Sequence, residues 1–174
     1  MILSPLLKRW LLPVLVISQA IPVFALAPIL VLWLGYGMAS KVAMAVLIIY
    51  FPVTASFYAG MQRTDPDLLD LARIMGARPL AILRSIVIPS ALPAFAAGVR
   101  VATAVAPIGA VVGEWVGSSG GLGFYMLHAN ARMQIDLMFA ALTLLACVSL
   151  LLYFLIDRLL DRLIYWQPTQ GPTL

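Results

Sequence analysis

Long apolar segments alternate with polar stretches along the whole chain. Four of them have the roughly 20 residues that an α-helix, rising about 1.5 Å per residue, needs to cross a hydrocarbon core of about 30 Å. They are residues 10–34, 42–61, 92–112 and 137–156. Prolines interrupt the first segment, so a bent helix is expected there, and a short turn over residues 35–37 joins it to the second. The pattern predicts an all-α polytopic membrane protein.

Composition points to the same class. Hydrophobic residues make up 63% of the 174 residues, charged residues make up 10%, and the mean hydropathy is +1.04. So few polar side chains cannot coat a soluble particle of this size. The single cysteine, Cys147, lies in an apolar run, which excludes a disulfide framework and a cysteine-rich metal cluster.

The positions of the positive charges predict the topology. If the polar segment 63–90 lies in the cytoplasm, eight lysines and arginines fall on the cytoplasmic side and two on the other. The eight are Lys8, Arg9, Arg63, Arg73, Arg78, Arg84, Arg158 and Arg162, and the two are Lys41 and Arg132. Because cytoplasmic loops are enriched in lysine and arginine, we expect both termini to be cytoplasmic.

The polar segment 63–90, RTDPDLLDLARIMGARPLAILRSIVIPS, predicts two short helices around a hinge. Thr64 or Asp65 is placed to cap the first helix. Pro66 stands in the first turn, where its missing N–H group costs nothing. Gly76 is placed to end this helix in the left-handed conformation. The second helix is expected to begin at Pro79 and to be ended by Pro89.

The first of these helices is amphipathic. Apolar residues recur at i, i+3, i+4 and i+7 and predict one apolar face, formed by Leu68, Leu71, Ala72 and Met75. Asp70 and Arg73 point elsewhere. Two interpretations fit this pattern: a helix lying on anionic lipid headgroups, or a docking helix inserted into a groove of a soluble partner. Periodicity does not choose between them.

A resemblance favours the docking helix, and it is carried by the spacing of seven residues in the segment. They are Asp70, Leu71 and Ala72, then Gly76, then Ile86, then Ile88 and Pro89. This series resembles the EAA loop of ABC importer permeases: Glu-Ala-Ala, three residues, Gly, nine residues, Ile, one residue, Leu-Pro. Asp70, Leu71 and Ile88 replace the family's Glu, Ala and Leu, and every spacing is kept. The stretches IPVFALAPILVLWLGYGMASK and GVRVATAVAPIGAVVGEWVGSSGGLGF are similar to the branch serving nitrate, sulfonate, taurine and thiamin-pyrimidine importers, so the resemblance covers nearly the whole chain.

The resemblance implies the helical core of a type I ABC importer permease. In that family the EAA loop is a coupling helix that sits in a cleft of a cytoplasmic ATPase subunit. The residues implied to couple transport to ATP are Asp70, Leu71, Ala72, Gly76, Ile86 and Pro89. Permeases of this branch usually have six spans, so the chain is expected to lack the first two. It is also expected to form one transmembrane domain over residues 1–174 in a bacterial inner membrane.

The implied partners are a cytoplasmic ABC ATPase, a second permease copy in a homodimer, an extracytoplasmic solute-binding protein and the lipid bilayer, with no nucleic acid. No catalytic residue, bound cofactor or metal is expected in the chain. It has no G-x-x-x-x-G-K-[ST] phosphate loop, so ATP is expected on the partner subunit. Transport would then proceed by alternating access.

Two charged residues of the third segment are candidates for the substrate pathway. Arg100 lies within the segment, where an arginine is costly and usually faces protein or water. It is open to two interpretations, anion binding in a pathway or a side chain reaching the headgroups. Glu114 lines the pathway or marks the membrane interface.

Alternatives also stay open for the role of the second polar stretch and for the identity of the substrate. The sequence GSSGGLG, residues 117–123, favours either a re-entrant gate or an external linker. The stretch LHANARMQIDLMFAAL is most similar to permeases for hydroxymethylpyrimidine or related thiamin precursors, with nitrate, sulfonates and taurine next. A small secondary transporter or channel, an intramembrane enzyme and a non-transporting assembly factor are the other classes. An intramembrane enzyme would need paired acid, base or metal groups, which the segments do not offer.

Overall fold

The computed structural model describes residues 22–166, which form helices and short connections without any β-strand. Six helices follow one another within these residues. They are α1 (Val23–Leu34), α2 (Met38–Gln62), α3 (Pro66–Ile74), α4 (Pro79–Gly117), α5 (Leu122–Ala131) and α6 (Ile135–Leu163). The all-α prediction is confirmed.

Three helices, α2, α4 and α6, are long and apolar enough to cross a membrane. They contain the predicted segments 42–61, 92–112 and 137–156. Of the predicted first segment, residues 23–34 form α1, with Pro28 inside it, whereas residues 10–21 lie outside the described part of the chain. Most large apolar side chains of α6 are exposed, as expected where a helix meets lipid or another protein. The protein is a multi-pass membrane protein.

The core of the bundle is an antiparallel pair, α2 and α4, packed through small residues. Gly60 lies against Ala91 and Ala94 at one end of the pair. Gly109 lies against Ala45 toward the other end. Lipid tails are as apolar as leucine, so membrane helices gain most from close van der Waals contact, which small residues permit. Over Ile88–Gly117, the part of α4 that packs on α2, the buried residues are therefore alanines and glycines: Ala91, Ala96, Gly98, Ala102, Gly109, Gly113 and Gly117.

Helix α4 is continuous through Pro89, which corrects one sequence prediction. Pro89 does not end a short loop helix, because the helix widens into a π-helical turn over Leu83–Val87 immediately before it. The N–H of Ile88 donates to the carbonyl of Leu83, five residues earlier. A proline ring clashes with the carbonyl four residues before it in a regular α-helix, and a π-turn relieves such crowding. Residues 79–90 therefore begin a long helix and are not a separate part of the polar loop.

The remaining helices surround this pair. Val31 of α1 lies against Gly117 at one end of α4. Near the middle of α4, Leu160 of α6 and Ile164 just beyond it form a buried cluster with Ala96. Helix α5 contacts both α4 and α6. The contacts that α6 and α1 make with α4 thus lie near its middle and at its C-terminal end.

Candidate functional site

The helix α3 begins with a complete N-terminal cap. The side chain of Asp65 accepts a hydrogen bond from the backbone N–H of Asp67 at 2.9 Å, and Pro66 occupies the first helical position. The carboxylate satisfies one of the free N–H groups of the first turn. Thr64 instead donates its hydroxyl to the carbonyl of Met61. Of the two predicted caps, Asp65 is the one used.

The end of α3 is a Schellman motif centred on a glycine. Gly76 has φ of 75°, the left-handed conformation predicted for it. The N–H of Ala77 donates to the carbonyl of Ala72 at 3.0 Å, and that of Gly76 to the carbonyl of Arg73 at 2.9 Å. A side chain at Gly76 would meet no atom within 4 Å, so the turn requires glycine for its backbone conformation alone.

The apolar residues of α3 lie on two faces, not on the single face that periodicity predicted. Ala72 is buried in a cluster with Ile82 and Val87, which Leu69 and Ile86 help to cover. The other apolar residues point to solvent. They are Leu68, Leu71, Ile74 and Met75, with exposed fractions of 47%, 55%, 85% and 78%. We call these four residues the apolar face of α3.

The predicted coupling residues therefore divide into two groups. Ala72 and Ile86 hold α3 against the start of α4, and Gly76 forms the turn between the two helices. Asp70 and Leu71 are exposed. The carboxylate of Asp70 pairs with the guanidinium of Arg73 at 2.6 Å on the outer side of α3. The exposed Asp70 and Leu71 are available to a partner, whereas Ala72, Gly76 and Ile86 fix the position of α3 on α4.

Arg100 is held by two carboxylates of α6. Its Nε donates to Asp157 and one terminal nitrogen donates to Asp161, both at 2.5 Å. Neither interpretation of Arg100 from the sequence included these partners, which lie 57 and 61 residues along the chain. The available signal was the pair of aspartates one helical turn apart at the end of the last apolar segment.

Glu114 caps α5. Its Oε2 accepts hydrogen bonds from the backbone N–H groups of Gly123 at 2.6 Å and Phe124 at 3.4 Å. A carboxylate is favourable at the positive N-terminal end of a helix. Lys41 of α2 donates to the hydroxyl of Ser118 at 2.7 Å, so the glycine-rich turn is tied on two sides. Of the predicted gate or linker 117–123, residues 118–121 form the connection between α4 and α5, and the others belong to the two helices.

The two pathway candidates do not meet. Fourteen residues separate Arg100 from Glu114 on α4, a distance of about 21 Å along a helix. Arg100 is in ion pairs between α4 and α6, and Glu114 caps α5. No group of three or more His, Cys, Asp or Glu side chains that could hold a metal ion occurs among residues 22–166. Helix α3, in contrast, exposes apolar side chains next to the Asp70–Arg73 ion pair.

The chain is similar in sequence to known membrane transport proteins. Residues 1–165 match the model of a family described as the binding-protein-dependent transport system inner membrane component. A probable ABC transporter permease protein of Haemophilus influenzae is 66% identical over 155 residues, which are 89% of this chain and 63% of that relative.

Two further relatives are named by their substrates. A formylaminopyrimidine transport permease protein of Halalkalibacterium halodurans is 39% identical over 94% of this chain and 65% of its own length. A riboflavin transport system permease protein of Chloroflexus aurantiacus is 40% identical over 92% of this chain and 60% of its own length. The chain thus spans slightly less than two thirds of each of these three relatives.

Proposed function

Because the chain belongs to the family of binding-protein-dependent transport system inner membrane components, we propose that it is the membrane subunit of an ATP-driven importer for a small solute. The observation that carries the proposal is the apolar face of α3, displayed beside the Asp70–Arg73 pair and braced by a buried cluster. The partner subunits are a cytoplasmic ABC ATPase, a second permease copy and an extracytoplasmic binding protein. ATP is bound and hydrolysed by the ATPase.

The exposed apolar face of α3 fits docking to a protein, and the family match favours docking over lying on lipid. Ile74 and Met75 are among the most exposed large apolar residues of the described chain. An amphipathic helix can insert such residues into a hydrophobic groove of a partner. The Schellman turn and the Ala72 cluster fix the angle between α3 and α4, so a force on α3 is passed to α4.

In this proposal the site works by alternating access. The ATPase pair binds ATP better in its closed arrangement, and this difference in affinity shifts the permease between states open to opposite sides. Helix α3 moves with the ATPase, and α4 carries the movement into the membrane. The membrane is a bacterial inner membrane, with α3 and both termini on the cytoplasmic side as the arginine distribution favours.

The test is association with the ATPase encoded beside this chain. Ile74→Asp places a charge in the apolar face without touching the buried cluster, and should weaken co-purification at least about tenfold. Tyr36→Asp is the matched control, because Tyr36 is 85% exposed in the turn at the opposite end of α2. It should leave association unchanged. Equal binding by both variants and wild type would rule out α3 as the docking element.

We further propose a thiamin precursor of the hydroxymethylpyrimidine type as the solute. The relative named for formylaminopyrimidine supports a pyrimidine, and the relative named for riboflavin supports a heteroaromatic ring. The cognate binding protein should bind hydroxymethylpyrimidine at least about a hundredfold more tightly than taurine or nitrate. Preference for taurine or nitrate would contradict the substrate and leave the docking proposal untouched. Uptake by the purified chain along an ion gradient without ATP would instead favour a secondary transporter.

A further inference from the structure

Helix α6 packs closely against the bundle at one end. Leu160 is its only buried residue, and it lies with Ile164 against Ala96 of α4. Ile156 of α6, with Leu92 and Val99 of α4, completes this cluster. Over the rest of α6 the inward residues are at most partly buried, and most of the large apolar side chains are exposed. Helix α6 also contacts α5, but its buried contacts with α4 are made in its last two turns.

The Arg100 ion pairs stand in those same turns. Asp157 and Asp161 are four residues apart, so both carboxylates point toward α4, one turn above the other. The guanidinium donates from different nitrogens to each of them at 2.5 Å. Its rigid fork of donors holds two acceptors in one fixed arrangement, which a lysine cannot do. The side chain of Arg100 is only 26% exposed.

This arrangement specifies the register of α6 on α4. If α6 slid by one turn along its axis, one carboxylate would take the place of the other and a guanidinium nitrogen would lose its partner. Arg100 would then lose one of its two charge-assisted hydrogen bonds, so the slipped arrangement is disfavoured. Apolar contacts alone do not give this selectivity, because leucine and isoleucine pack acceptably in several registers.

The first turns of α4 also pack against α3, through the cluster of Ala72, Ile82 and Val87. Helix α4 runs without a break from Pro79, beside α3, to Gly117. Arg100 lies 21 residues after Pro79, about 31 Å along the helix. One helix thus joins the docking element to the residue that holds α6.

We propose that Arg100, Asp157 and Asp161 form a clamp that makes α4 and the end of α6 move as one body during transport. Arg100 is then a positioning residue for transport. This inference rests on the proposed function for its transport consequence, and on the described contacts for the clamp itself. The two parts are tested by separate measurements.

The first measurement needs neither ATPase nor substrate. In a Cys147→Ser chain, Ala96→Cys and Leu160→Cys place two thiols in the buried cluster, and their oxidation to a disulfide reports how α6 sits on α4. Arg100→Met should slow the oxidation at least about tenfold. Arg158→Met is the matched control, because Arg158 is an exposed arginine next to Asp157 and should leave the rate unchanged. Exchange of the charges, Arg100→Asp with Asp157→Arg, should restore at least a third of the rate. An unchanged rate in Arg100→Met would overturn the clamp.

The second measurement uses the assembled importer. The oxidised cysteine pair should keep at least half of the transport rate, because the clamped helices do not separate. Arg100→Met should lower the solute moved per ATP hydrolysed at least about tenfold, while ATP hydrolysis persists. A purely structural role would lower both activities together and leave their ratio unchanged, which would overturn the inference. Transport that stops on oxidation and returns on reduction would overturn it as well. Failure of the wild-type chain to bind an ATPase would contradict the proposed function alone.

Discussion

Replacing Gly98 by alanine tests the packing of α2 against α4 most directly. A Cβ atom at this position would lie 2.7 Å from the carbonyl oxygen of Pro52, 2.8 Å from Cβ of Ser56 and 3.0 Å from Cα of Val53. All three atoms belong to the backbone of α2 or are attached to it directly, so no flexible side chain can turn away. The whole helix has to move for the methyl group to fit.

The size of the effect follows from two opposing terms. Overpacking of a close interface costs about 1–3 kcal/mol. Alanine regains up to about 1 kcal/mol because it restricts the unfolded backbone and favours the helix. The net expectation for Gly98→Ala is a loss of about 1–2 kcal/mol, which for a chain of this length lowers the unfolding midpoint by about 2–8 °C. Gly98→Val should lower it further, because it adds two more methyl groups against the same backbone.

Thermal unfolding of the purified chain in detergent, followed by circular dichroism, measures this difference. Gly120→Ala is the matched control, because a Cβ at Gly120 meets nothing within 4 Å and its φ is not positive. Its midpoint should stay within the small range expected of open surface positions. Equal midpoints for Gly98→Ala, Gly120→Ala and wild type would refute the close approach of α2 and α4.

Three local features of the chain give further predictions. Gly76→Ala should lower the free energy of unfolding by about 1 kcal/mol, because alanine is strained in the left-handed backbone conformation of Gly76. Gly76→Asn should lower it clearly less, and equal unfolding midpoints for the two variants would contradict this. Asp65→Ala should cost about 1 kcal/mol and speed amide exchange in the first turn of α3 about fivefold, leaving α6 amides as the internal control. Glu114→Ala should expose residues 118–124 to limited proteolysis, Glu114→Gln less so because it keeps an acceptor; identical cleavage rates would exclude the cap as a determinant.

The termini of α3 were predictable from the sequence because their causes are local. Asp65 and Gly76 act on groups within a few residues, and the required residue types are few. Pro89 shows the limit of such rules. A proline rule predicts a break, yet the preceding π-turn removes the clash and keeps α4 continuous. The sequence offers no strong sign of a π-turn, so the predicted boundary was wrong.

The interior of the bundle could not be predicted from hydrophobic periodicity. Periodicity assumes that large apolar residues are buried, as in soluble proteins. Here the described interior consists mainly of glycines and alanines, while leucines and phenylalanines of α6 are exposed. The spacing of four between Gly109, Gly113 and Gly117 was the usable signal. The ion-pair partners of Arg100 were unpredictable for a different reason: they are distant in sequence, and no local rule connects them.

The length of α4 explains why one helix can serve both the docking element and the membrane. At 39 residues it is about 58 Å long, nearly twice the hydrocarbon thickness of about 30 Å. Part of it must therefore extend beyond the membrane, and the segment nearest α3 is the part braced by the Ala72 cluster. No loop intervenes between that segment and the glycine contacts with α2, so a displacement of α3 cannot be absorbed by a flexible connection. The π-turn over Leu83–Val87 is the one departure from regular helix on this path, and bending there would decide how much of the displacement reaches Arg100.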